Sequence, residues 1–407
     1  MRAKSPRRRR VLVMTSTFPR WKNDKGPAFV FELSRRLSVE FEITILAPRS
    51  VDSQKEENIS GLRVVRFPYF FNRWEKLAMH GGGILNQLRT NRLYYGMVPF
   101  FLLGQLAALL RLLRRERFDL IHAHWIIPQG VIAVLGLAMT GRKIPLLCTS
   151  HGSDLFALRG KISECLKKLV AQKSDAIAVV SRAMESRLAQ MGVAGEKIHV
   201  LPMGVDLNHL FTPDPAVKRA DRELLFVGRL MENKGIQVLM EAMPEVLKKY
   251  PSVRLVIAGS GPMEEFLKHQ ARHLQIAGQV EFLGAVSQAE LPSLYRRATL
   301  AVFPFLVAKS GDQEGFGLVQ VEAMGCGCPV ISGDLTAVHD IVEHQKTGLL
   351  VPSGDASALA RTIIRALENP DLCAAMAGEA KRRVMEKFDW RVIAGKYSKL
   401  YEKLTEK

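Results

Sequence analysis

The sequence has little cysteine for its length. Its 407 residues include five cysteines, at positions 148, 165, 326, 328 and 373. Five scattered cysteines are too few for a disulfide framework, and the single residue between Cys326 and Cys328 is not the spacing of a metal-binding finger. We therefore expect a reduced chain in the cytoplasm.

Long apolar runs are also scarce. The apolar stretch behind the N-terminal arginines spans residues 11–14, which is shorter than the roughly 7–15 residues of a secretory signal, so we expect no export. Residues 93–110 carry no charge and reach the length of about 18 residues that a membrane-spanning helix needs, but glycine and proline interrupt them. This pattern favours a helix buried in the core. A helix in the membrane interface is the second interpretation and a span the third.

Acidic residues are too few in the first half to balance the basic ones. The chain has 58 Lys and Arg against 40 Asp and Glu, a formal net charge of +18. Residues 1–200 hold 33 basic and 15 acidic residues, whereas residues 201–407 hold 25 of each. Such a one-sided field indicates a polyanionic partner, which is nucleic acid, an anionic membrane surface or a phosphorylated substrate. Residues 1–10 form a basic tail that either solubilises the chain or attracts it to a membrane.

Short apolar, often β-branched runs alternate with segments of helical periodicity. This alternation predicts parallel sheets with helices on both faces. The predicted strands are 11–14, 43–47, 120–123, 146–149, 176–180, 199–201, 224–227, 254–258, 280–283, 300–303, 330–331 and 349–351. The predicted helices include 28–37, 181–191, 235–250, 261–275, 288–298 and 356–368.

The alternation restarts after residue 205, at a loop rich in glycine and proline. We therefore predict an α/β protein with two doubly wound, Rossmann-like domains, at 11–205 and 206–390. The final helix, 391–407, could pack back on the first domain. Because ligands of open α/β sheets bind beyond the carboxyl ends of the strands, we expect the site in a cleft that both domains face.

Three histidines follow or end predicted strands of the first domain. We expect His122 and His124 to point to opposite faces of their strand, which argues against a metal site. His151 precedes Gly152 at the end of the next strand, where it serves either as a hydrogen-bonding group of the site or as a structural histidine. Gly26 precedes the first predicted helix, whose free amides could face an anion, although a glycine there is also an ordinary turn residue.

Two cations lie on one strand-to-helix loop of the second domain. Arg229 follows Gly228, and Lys234 precedes Gly235, so that a guanidinium fork and an ammonium could converge on a diphosphate. Solvated surface cations are the alternative interpretation of this loop.

A glycine-rich motif, Glu-Gly-Phe-Gly-Leu, begins at Glu314. Its glycines allow a ligand to approach the backbone, and a helix that begins near Phe316 directs its free amides to the same place. Glu322 lies two turns inside this helix among apolar neighbours. A buried carboxylate needs partners, and the hydroxyls of a ribose would supply them.

In combination these residues resemble the retaining glycosyltransferases of family 4. The resemblance rests on Glu314 and Glu322 in a Glu-x7-Glu motif, and on Val-Gly-Arg-Leu with Asn-Lys-Gly at 227–235. Pro-Met-Gly-Val-Asp at 202–206 and His-Gly-Ser-Asp at 151–154 complete it. It covers nearly the whole chain and implies the two-Rossmann GT-B architecture and a nucleotide-diphosphate sugar as donor.

The resemblance also implies roles for individual residues. Cations would neutralise the donor diphosphate as the glycosidic bond breaks, a carboxylate would orient the donor sugar, and a histidine would lie against the sugar near the reacting carbon. These implied catalytic residues are Arg229, Lys234, Glu314 and His151. The implied donor-binding residues are Gly26, Gly228, Phe316, Gly317, Leu318 and Glu322. The base would lie near 282–284.

Two positions depart from the family pattern. Many relatives have a double glycine where this sequence has Lys25-Gly26-Pro27, which puts the contacts of that loop in doubt, and Met203 replaces a frequent asparagine. The sequence contains no Asp-x-Asp, so we expect no metal clamp and no cofactor, with cations in the metal's place. The resemblance implies retention by front-face attack, in which the departing phosphate oxygen helps to deprotonate the acceptor.

Other functions remain as alternatives. A GT-B phosphorylase or a sugar-nucleotide epimerase would share the sheets and the diphosphate cations. A basic membrane-binding or nucleic-acid-binding protein would explain the charge, but we expect no nucleic acid because the basic half follows the Rossmann alternation. The sequence leaves open the donor base (UDP, GDP or ADP), the hexose, the oligomeric state, and whether the acceptor is a saccharide or lipid-linked.

Overall fold

A computed structural model describes residues 7–20, 29–50, 53–71, 75, 77–78, 84, 87–88, 91–158 and 160–406. The chain divides into two compact units. Unit 1 comprises Met1–Val180, Glu185–Leu201 and Ala394–Lys407, and unit 2 comprises Ser181–Met184 and Pro202–Ile393. The final helix therefore has most of its length in unit 1. Gly26 and the first six residues lie outside the described residues.

In the described part of unit 1, one eight-stranded sheet has the order β3-β4-β2-β1-β5-β6-β7-β8. All neighbouring strands are parallel except the pair β3 and β4. The strands are β1 Arg10–Met14, β2 Glu42–Pro48, β3 Glu56–Ile59, β4 Leu62–Phe67, β5 Leu120–His124, β6 Leu146–Ser150, β7 Ala176–Val179 and β8 Ile198–Val200. The helices with residues in unit 1 are α1 Phe29–Leu37, α2 Val98–Arg115, α3 Val131–Thr140, α4 Ser153–Phe156, α5 Lys161–Lys173, α6 Arg182–Gln190 and the C-terminal helix.

The described part of unit 2 contains a six-stranded parallel sheet of order β11-β10-β9-β12-β13-β14. Its strands are β9 Glu223–Val227, β10 Arg254–Ala258, β11 Val280–Gly284, β12 Leu300–Phe303, β13 Val330–Gly333 and β14 Leu349–Val351. Its helices are α7 Ile236–Lys249, α8 Glu264–His273, α9 Leu291–Arg297, α10 Leu318–Gly325, α11 Ala356–Glu368 and α12 Pro370–Phe388. Helix α13, Trp390–Thr405, ends the chain.

Burial explains why the central strands are almost continuously apolar. Every residue of β9, β12 and β13 is buried, as expected for strands that helices cover on both faces. The hairpin of β3 and β4 had no counterpart among the predicted strands. Strand β3 reads Glu-Glu-Asn-Ile, lies at the sheet edge and leaves half of its residues exposed, so it has no apolar run to detect.

Helix α2 is buried on one face and exposed on the other. Phe101, Gln105 and Leu109 are buried, whereas Phe100 and Leu103 are 51% and 63% exposed. The prediction that residues 93–110 form a core helix is thus correct for the buried face of α2, and the opposite face is exposed. By length and composition, the longer segment Arg92–Arg115 could cross a membrane, and 39% of its most apolar window is buried.

Candidate functional site

The strand order of unit 2 creates a switch point between β9 and β12. From β9 the chain proceeds to β10 and β11 on one side, and then returns to place β12, β13 and β14 on the other. The loops after β9 and β12 therefore lead away from each other, which leaves a crevice at the carboxyl ends of these two strands. Open α/β sheets bind ligands at such a point.

Two predicted residues meet at this crevice. Lys234 ends the short 3-10 helix Glu232–Lys234 after β9, and Glu314 lies in the loop after β12. The Lys234 ammonium donates a hydrogen bond to Oε2 of Glu314. Its Nζ also lies 5.3 Å from the centre of the Phe305 ring. Residues 80 positions apart are thus brought together as an ion pair.

The second oxygen of Glu314 is held by the backbone. Oε1 accepts hydrogen bonds from the amides of Gly315, at 3.0 Å, and Phe316, at 3.2 Å. Burial by itself would raise the pKa of Glu314, but the Lys234 ammonium and these amides outweigh burial and hold the pKa below its ordinary value. The carboxylate is therefore ionised and fixed in orientation. The Phe316 amide, predicted to face the donor, is occupied by Glu314.

Gly317 caps the helix α10 that follows. Its φ of 96° is the left-handed conformation that glycine adopts freely. A Cβ at this position would lie 2.5 Å from Nε2 of Gln320, so the backbone is also closely covered. The helix begins at Leu318, and no side chain caps its first turn. The Gln320 amide donates to the carbonyl of Gly317 at 2.9 Å. Among the described residues, no side-chain cap is bonded to the amides of Leu318 and Val319.

Glu322 occupies a buried position inside α10. It is 7% exposed, and its Oε2 accepts a hydrogen bond from the Tyr295 hydroxyl at 3.1 Å. Burial raises the pKa of Glu322 to about 7, although hydrogen bonds from Tyr295 and Gln288 oppose the shift. The sequence did not single out Tyr295, which supplies the kind of hydroxyl that the burial of Glu322 requires.

Gly228 and residues 282–284 lie where the loops after β9, β10 and β11 meet. A Cβ at Gly259 would lie 1.8 Å from the carbonyl oxygen of Gly228, and the Gly259 amide donates to the carbonyl of Gly284 at 2.8 Å. The close approach requires glycine at position 259, and the two contacts join the three loops. Arg229, next to Gly228, has an exposed side chain.

Unit 1 has its own switch point, between β1 and β5. His151 directly follows β6, the next strand beyond β5, and its ring centre lies 4.7 Å from that of Phe29 and 4.9 Å from that of Trp125. Its Nε2 lies 3.0 Å from Nδ1 of His124. Burial lowers the pKa of His151 to about 3, so its ring is neutral. Phe29, Trp125 and His124 were not predicted as site residues.

The prediction that His122 and His124 face opposite sides of their strand was wrong. Their ring centres are 4.2 Å apart, because side chains two residues apart on a strand lie on the same face. His122 is hydrogen-bonded through Nδ1 to Tyr401 at 2.6 Å and through Nε2 to Thr149 at 2.7 Å. Within the described ranges, no group of three or more His, Cys, Asp and Glu residues is arranged to hold a metal ion.

Asp154 holds the loops that carry these rings. Its Oδ2 accepts from the amide of Ile126 at 2.7 Å, and its Oδ1 accepts from the Ser150 hydroxyl at 2.8 Å and the His151 amide at 3.2 Å. The carboxylate therefore ties the loop after β5 to the loop after β6. The His-Gly-Ser-Asp sequence contained this signal, since a buried acid beside a strand end needs such donors.

Two predicted features of the N-terminal region can be placed only in part. Gly26, with Lys25 and Pro27, lies outside the described residues. Of the predicted basic tail, Arg10 is the first residue of β1, and its guanidinium contacts Glu116 at 2.5 Å and Glu42 at 3.0 Å. This arginine is therefore part of the folded unit.

Two family models match the sequence. The model described as Glycosyltransferase Family 4 matches residues 27–209, and the model described as Glycosyl transferases group 1 matches residues 212–383. The chain is 32% identical over 292 residues to the phosphatidyl-myo-inositol mannosyltransferase of Mycolicibacterium smegmatis, covering 70% of this chain and 71% of that protein. It is 27% identical over 297 residues to glycogen synthase of Mycobacterium tuberculosis, covering 71% and 69%.

Solved structures share the fold. Sucrose-phosphate synthase from Thermosynechococcus elongatus aligns with a TM-score of 0.79 at 23% identity, covering 98% of this chain and 100% of that one. HepE from Anabaena, in complex with UDP and glucose, aligns with a TM-score of 0.72 at 20% identity, covering 96% and 98%.

Proposed function

This chain belongs to glycosyltransferase family 4 and has the GT-B fold, and from that premise we propose that it transfers a hexose with retention of anomeric configuration. The chain is an enzyme, a hexosyltransferase that uses a nucleotide sugar. The proposal adds the roles of its residues, the course of the reaction at the anomeric carbon and the class of acceptor, which is a hydroxyl of a saccharide or of a lipid-linked molecule.

The Lys234–Glu314 ion pair is the observation that carries the proposal. Glu314 fixes the ammonium at the switch point, beside the uncapped first turn of α10. A diphosphate placed there would meet the charge of Lys234 and the helix amides, and the guanidinium of Arg229 would add a fork that suits phosphate oxygens. These groups stabilise the negative charge that grows on the leaving diphosphate as the glycosidic bond breaks.

The rest of the donor has candidate contacts in the same unit. Glu322 would accept hydrogen bonds from ribose hydroxyls, and the amides of Gly317 and Leu318 would orient the sugar and phosphate. Gly228 and residues 282–284 would receive the base along the backbone of the joined loops.

The bonding of Asp154 and Glu314 favours retention without a covalent sugar intermediate. A double displacement needs a free carboxylate as nucleophile. In the described loops that follow β5 and β6, the one acidic residue is Asp154, whose two oxygens already accept three hydrogen bonds. Glu314 is occupied by Lys234 and by backbone amides. We therefore infer front-face attack, in which the departing phosphate oxygen accepts the acceptor proton, with His151 against the sugar.

The donor and the stereochemistry can be tested together. Thermal unfolding in the presence of UDP, GDP or ADP identifies the base, because a ligand that binds the folded state raises the melting temperature. The matching nucleotide sugars are then incubated with saccharide and lipid-linked acceptors, and proton NMR of the early product reads its anomeric configuration. An inverted product would overturn retention. Stabilisation by no nucleotide, together with no transfer, would overturn the donor site.

We also propose that the enzyme needs no metal and no cofactor, because Lys234 and Arg229 supply the charge that a divalent ion would bring. Turnover is expected to survive EDTA. Complete loss with EDTA, restored by magnesium or manganese, would contradict this, whereas partial stimulation by metal would not.

We propose an anionic membrane surface as a partner, because unit 1 has exposed apolar side chains next to arginines. Leu93, Phe100 and Leu103 are 82%, 51% and 63% exposed, and Arg111 and Arg114 continue the exposed face of α2 toward its C-terminus. An apolar face with adjacent arginines is typical of helices that lie in the membrane interface. We infer that the enzyme works at the cytoplasmic face of a membrane, where a lipid-linked or anionic acceptor would be available.

A further inference from the structure

A pair of neutral histidines joins strands β5 and β6 at their carboxyl ends. Nδ1 of His124 lies 3.0 Å from Nε2 of His151, and the two rings stack with 16° between their planes. A hydrogen bond between two neutral imidazoles needs a protonated nitrogen on one ring and a lone pair on the other. The pair therefore has two alternative proton arrangements, and they differ in whether Nδ1 of His151 is a hydrogen-bond donor or an acceptor toward a ligand.

The surroundings of His124 select one arrangement. His124 is completely buried, and its Nε2 has no hydrogen-bond partner among the described residues. If Nε2 carried the proton, a buried N–H donor would be left unpaired. If Nδ1 carries it, only a lone pair is left unpaired, and unpaired acceptors are tolerated better than unpaired donors in protein interiors. His124 therefore donates through Nδ1 to Nε2 of His151.

This choice sets the protonation of the second ring. Because Nε2 of His151 accepts, its proton is on Nδ1. The backbone amide of His151 is bound to Asp154, and Phe29 and Trp125 flank the ring, so the ring cannot turn freely. Within the described residues, Nδ1 makes no hydrogen bond, and the residue is half-buried.

We propose that His124 is a positioning residue that fixes His151 as a hydrogen-bond donor through Nδ1, toward an oxygen of the substrate sugar. The proposal rests on the proposed function for its ligand. In it, His151 acts as a neutral donor to a hydroxyl or ring oxygen of the sugar and does not act as a general base. His124 acts through His151 and does not contact the substrate.

The proton arrangement can be read directly in the wild-type enzyme. Nitrogen NMR of the full chain labelled with [15N]histidine distinguishes protonated from unprotonated ring nitrogens, and the spectrum of His151→Asn assigns the His151 signals. At neutral pH we expect His151 to carry its proton on Nδ1. A proton on Nε2 would overturn the proposal. This reading needs no substrate, so it is independent of whether any sugar is transferred.

Two variants of His124 show whether its Nδ1 proton sets the tautomer of His151 or whether its ring only fills space in the core. The amide nitrogen of an asparagine is as many bonds from Cα as Nδ1 of a histidine, so His124→Asn can donate at the same place, whereas His124→Phe keeps a ring without a donor. We expect His124→Asn to keep the His151 tautomer. We expect His124→Phe to mix the tautomers and to lower kcat/KM about three- to tenfold, the value of one hydrogen bond.

An unchanged His151 tautomer and unchanged kcat/KM in His124→Phe would overturn the positioning role. If His124→Phe does not fold, the wild-type spectrum and His124→Asn still decide, because loss of the Nδ1 proton from His151 in His124→Asn contradicts the proposal. A wild-type enzyme that transfers no sugar from any nucleotide sugar would instead overturn the proposed function.

Discussion

The Lys234 ammonium and the Glu314 carboxylate hold each other in place before any ligand is bound. Both side chains are largely buried, with 19% and 12% of their surface exposed. Part of the Lys234 side chain is therefore accessible to a ligand while its ammonium is bonded to Glu314. The ion pair, the Phe305 ring and the backbone amides on Glu314 limit how far these side chains can move, which is the preorganisation that stabilises charge in a transition state.

We expect Lys234→Ala and Arg229→Ala each to reduce kcat by about 100-fold or more, the usual effect of removing one stabiliser of a leaving group's charge. Lys249→Ala is the matched control, since Lys249 is a half-exposed lysine that pairs with Glu368 on the surface. Steady-state kinetics and melting temperatures of all variants provide the readout. Near wild-type turnover in both site variants would refute the donor-site assignment.

A double variant separates lost catalysis from lost stability. Lys234→Ala leaves the Glu314 carboxylate without its cation, which by itself can destabilise the loop. Lys234→Ala with Glu314→Gln removes that unpaired charge. We expect the double variant to recover melting temperature but not turnover.

The raised pKa of Glu322 predicts how its contribution to stability depends on pH. The carboxyl has a pKa of about 7 in the folded chain and an ordinary value of 4.5. Between these values the folded state holds the proton more tightly than the unfolded state, so stability falls as pH rises through this window. In this window the free energy of unfolding falls by about 1.4 kcal/mol for each pH unit. Below the window the carboxyl is protonated in both states, so Glu322 no longer lowers stability.

Glu322→Gln should remove this dependence. Comparing the free energy of unfolding of both proteins at pH 5 and pH 8, we expect the variant to gain stability relative to wild type at the higher pH. Nucleotide binding should instead favour the ionised form of Glu322, because an ionised carboxylate accepts hydrogen bonds from both ribose hydroxyls. We therefore expect weaker nucleotide binding by the variant at pH 8. A constant difference in stability across the pH range would contradict the shifted pKa.

Helix α13 shows how an element far along the chain completes the core of unit 1. Its Tyr401 hydroxyl bonds to Nδ1 of His122, and its Tyr397 hydroxyl donates to the carbonyl of Leu201 at 3.1 Å. Both tyrosines are completely buried or nearly so. Burial lowers the pKa of His122 to about 3, so the neutral ring can accept the Tyr401 proton. The helix is therefore attached by polar bonds as well as by apolar packing.

Tyr401→Phe is expected to lower the free energy of unfolding by about 1–3 kcal/mol, because it leaves a buried nitrogen of His122 without its partner. Thermal or urea unfolding measures the change. Tyr95→Phe is the control, since Tyr95 is a tyrosine of the same unit that is 58% exposed. Equal stabilities of the two variants would show that the Tyr401–His122 bond does not anchor the helix.

At the scale of the whole molecule, the charge is unevenly distributed along the chain. The entire excess of +18 lies within residues 1–200, and the remaining residues are neutral in sum. Each basic residue close to an anionic bilayer contributes about 1 kcal/mol to binding, and the effect fades within a Debye length of about 8–10 Å. We therefore expect several such residues, together with the exposed apolar side chains of α2, to produce peripheral binding that salt weakens.

Co-sedimentation with anionic vesicles at low and high salt tests this. We expect salt-sensitive binding that the double variant Phe100→Ser, Leu103→Ser weakens about tenfold or more through its lost apolar area. Val39→Ser is the control, because Val39 is 70% exposed elsewhere in unit 1. Deletion of residues 2–8 tests the basic tail and leaves the paired Arg10 in place. If the intact chain does not sediment even at low salt, the membrane proposal fails and a soluble acceptor becomes the better choice.

The sequence by itself determined most of the elements, because their signals are local. All twelve predicted strands correspond to strands of the structure, since buried parallel strands require short apolar runs wherever they occur. The glycines near the strand ends and the Glu-x7-Glu spacing around α10 are equally local. The edge strand β3 was missed because its residues are polar and half-exposed, so burial does not restrict them. Strand β4 was also missed, because Arg63 and Arg66 interrupt its apolar residues.

Only the tertiary structure decided which residues meet. Lys234 reaches Glu314 because β9 and β12 are neighbours in the sheet, although β10 and β11 separate them along the chain. His122 meets Tyr401 across 279 positions, and His124 meets His151 because β5 and β6 pair in register. A partner of this kind depends on strand order and on the packing of a distant helix, and no local pattern of burial or turn chemistry contains that information.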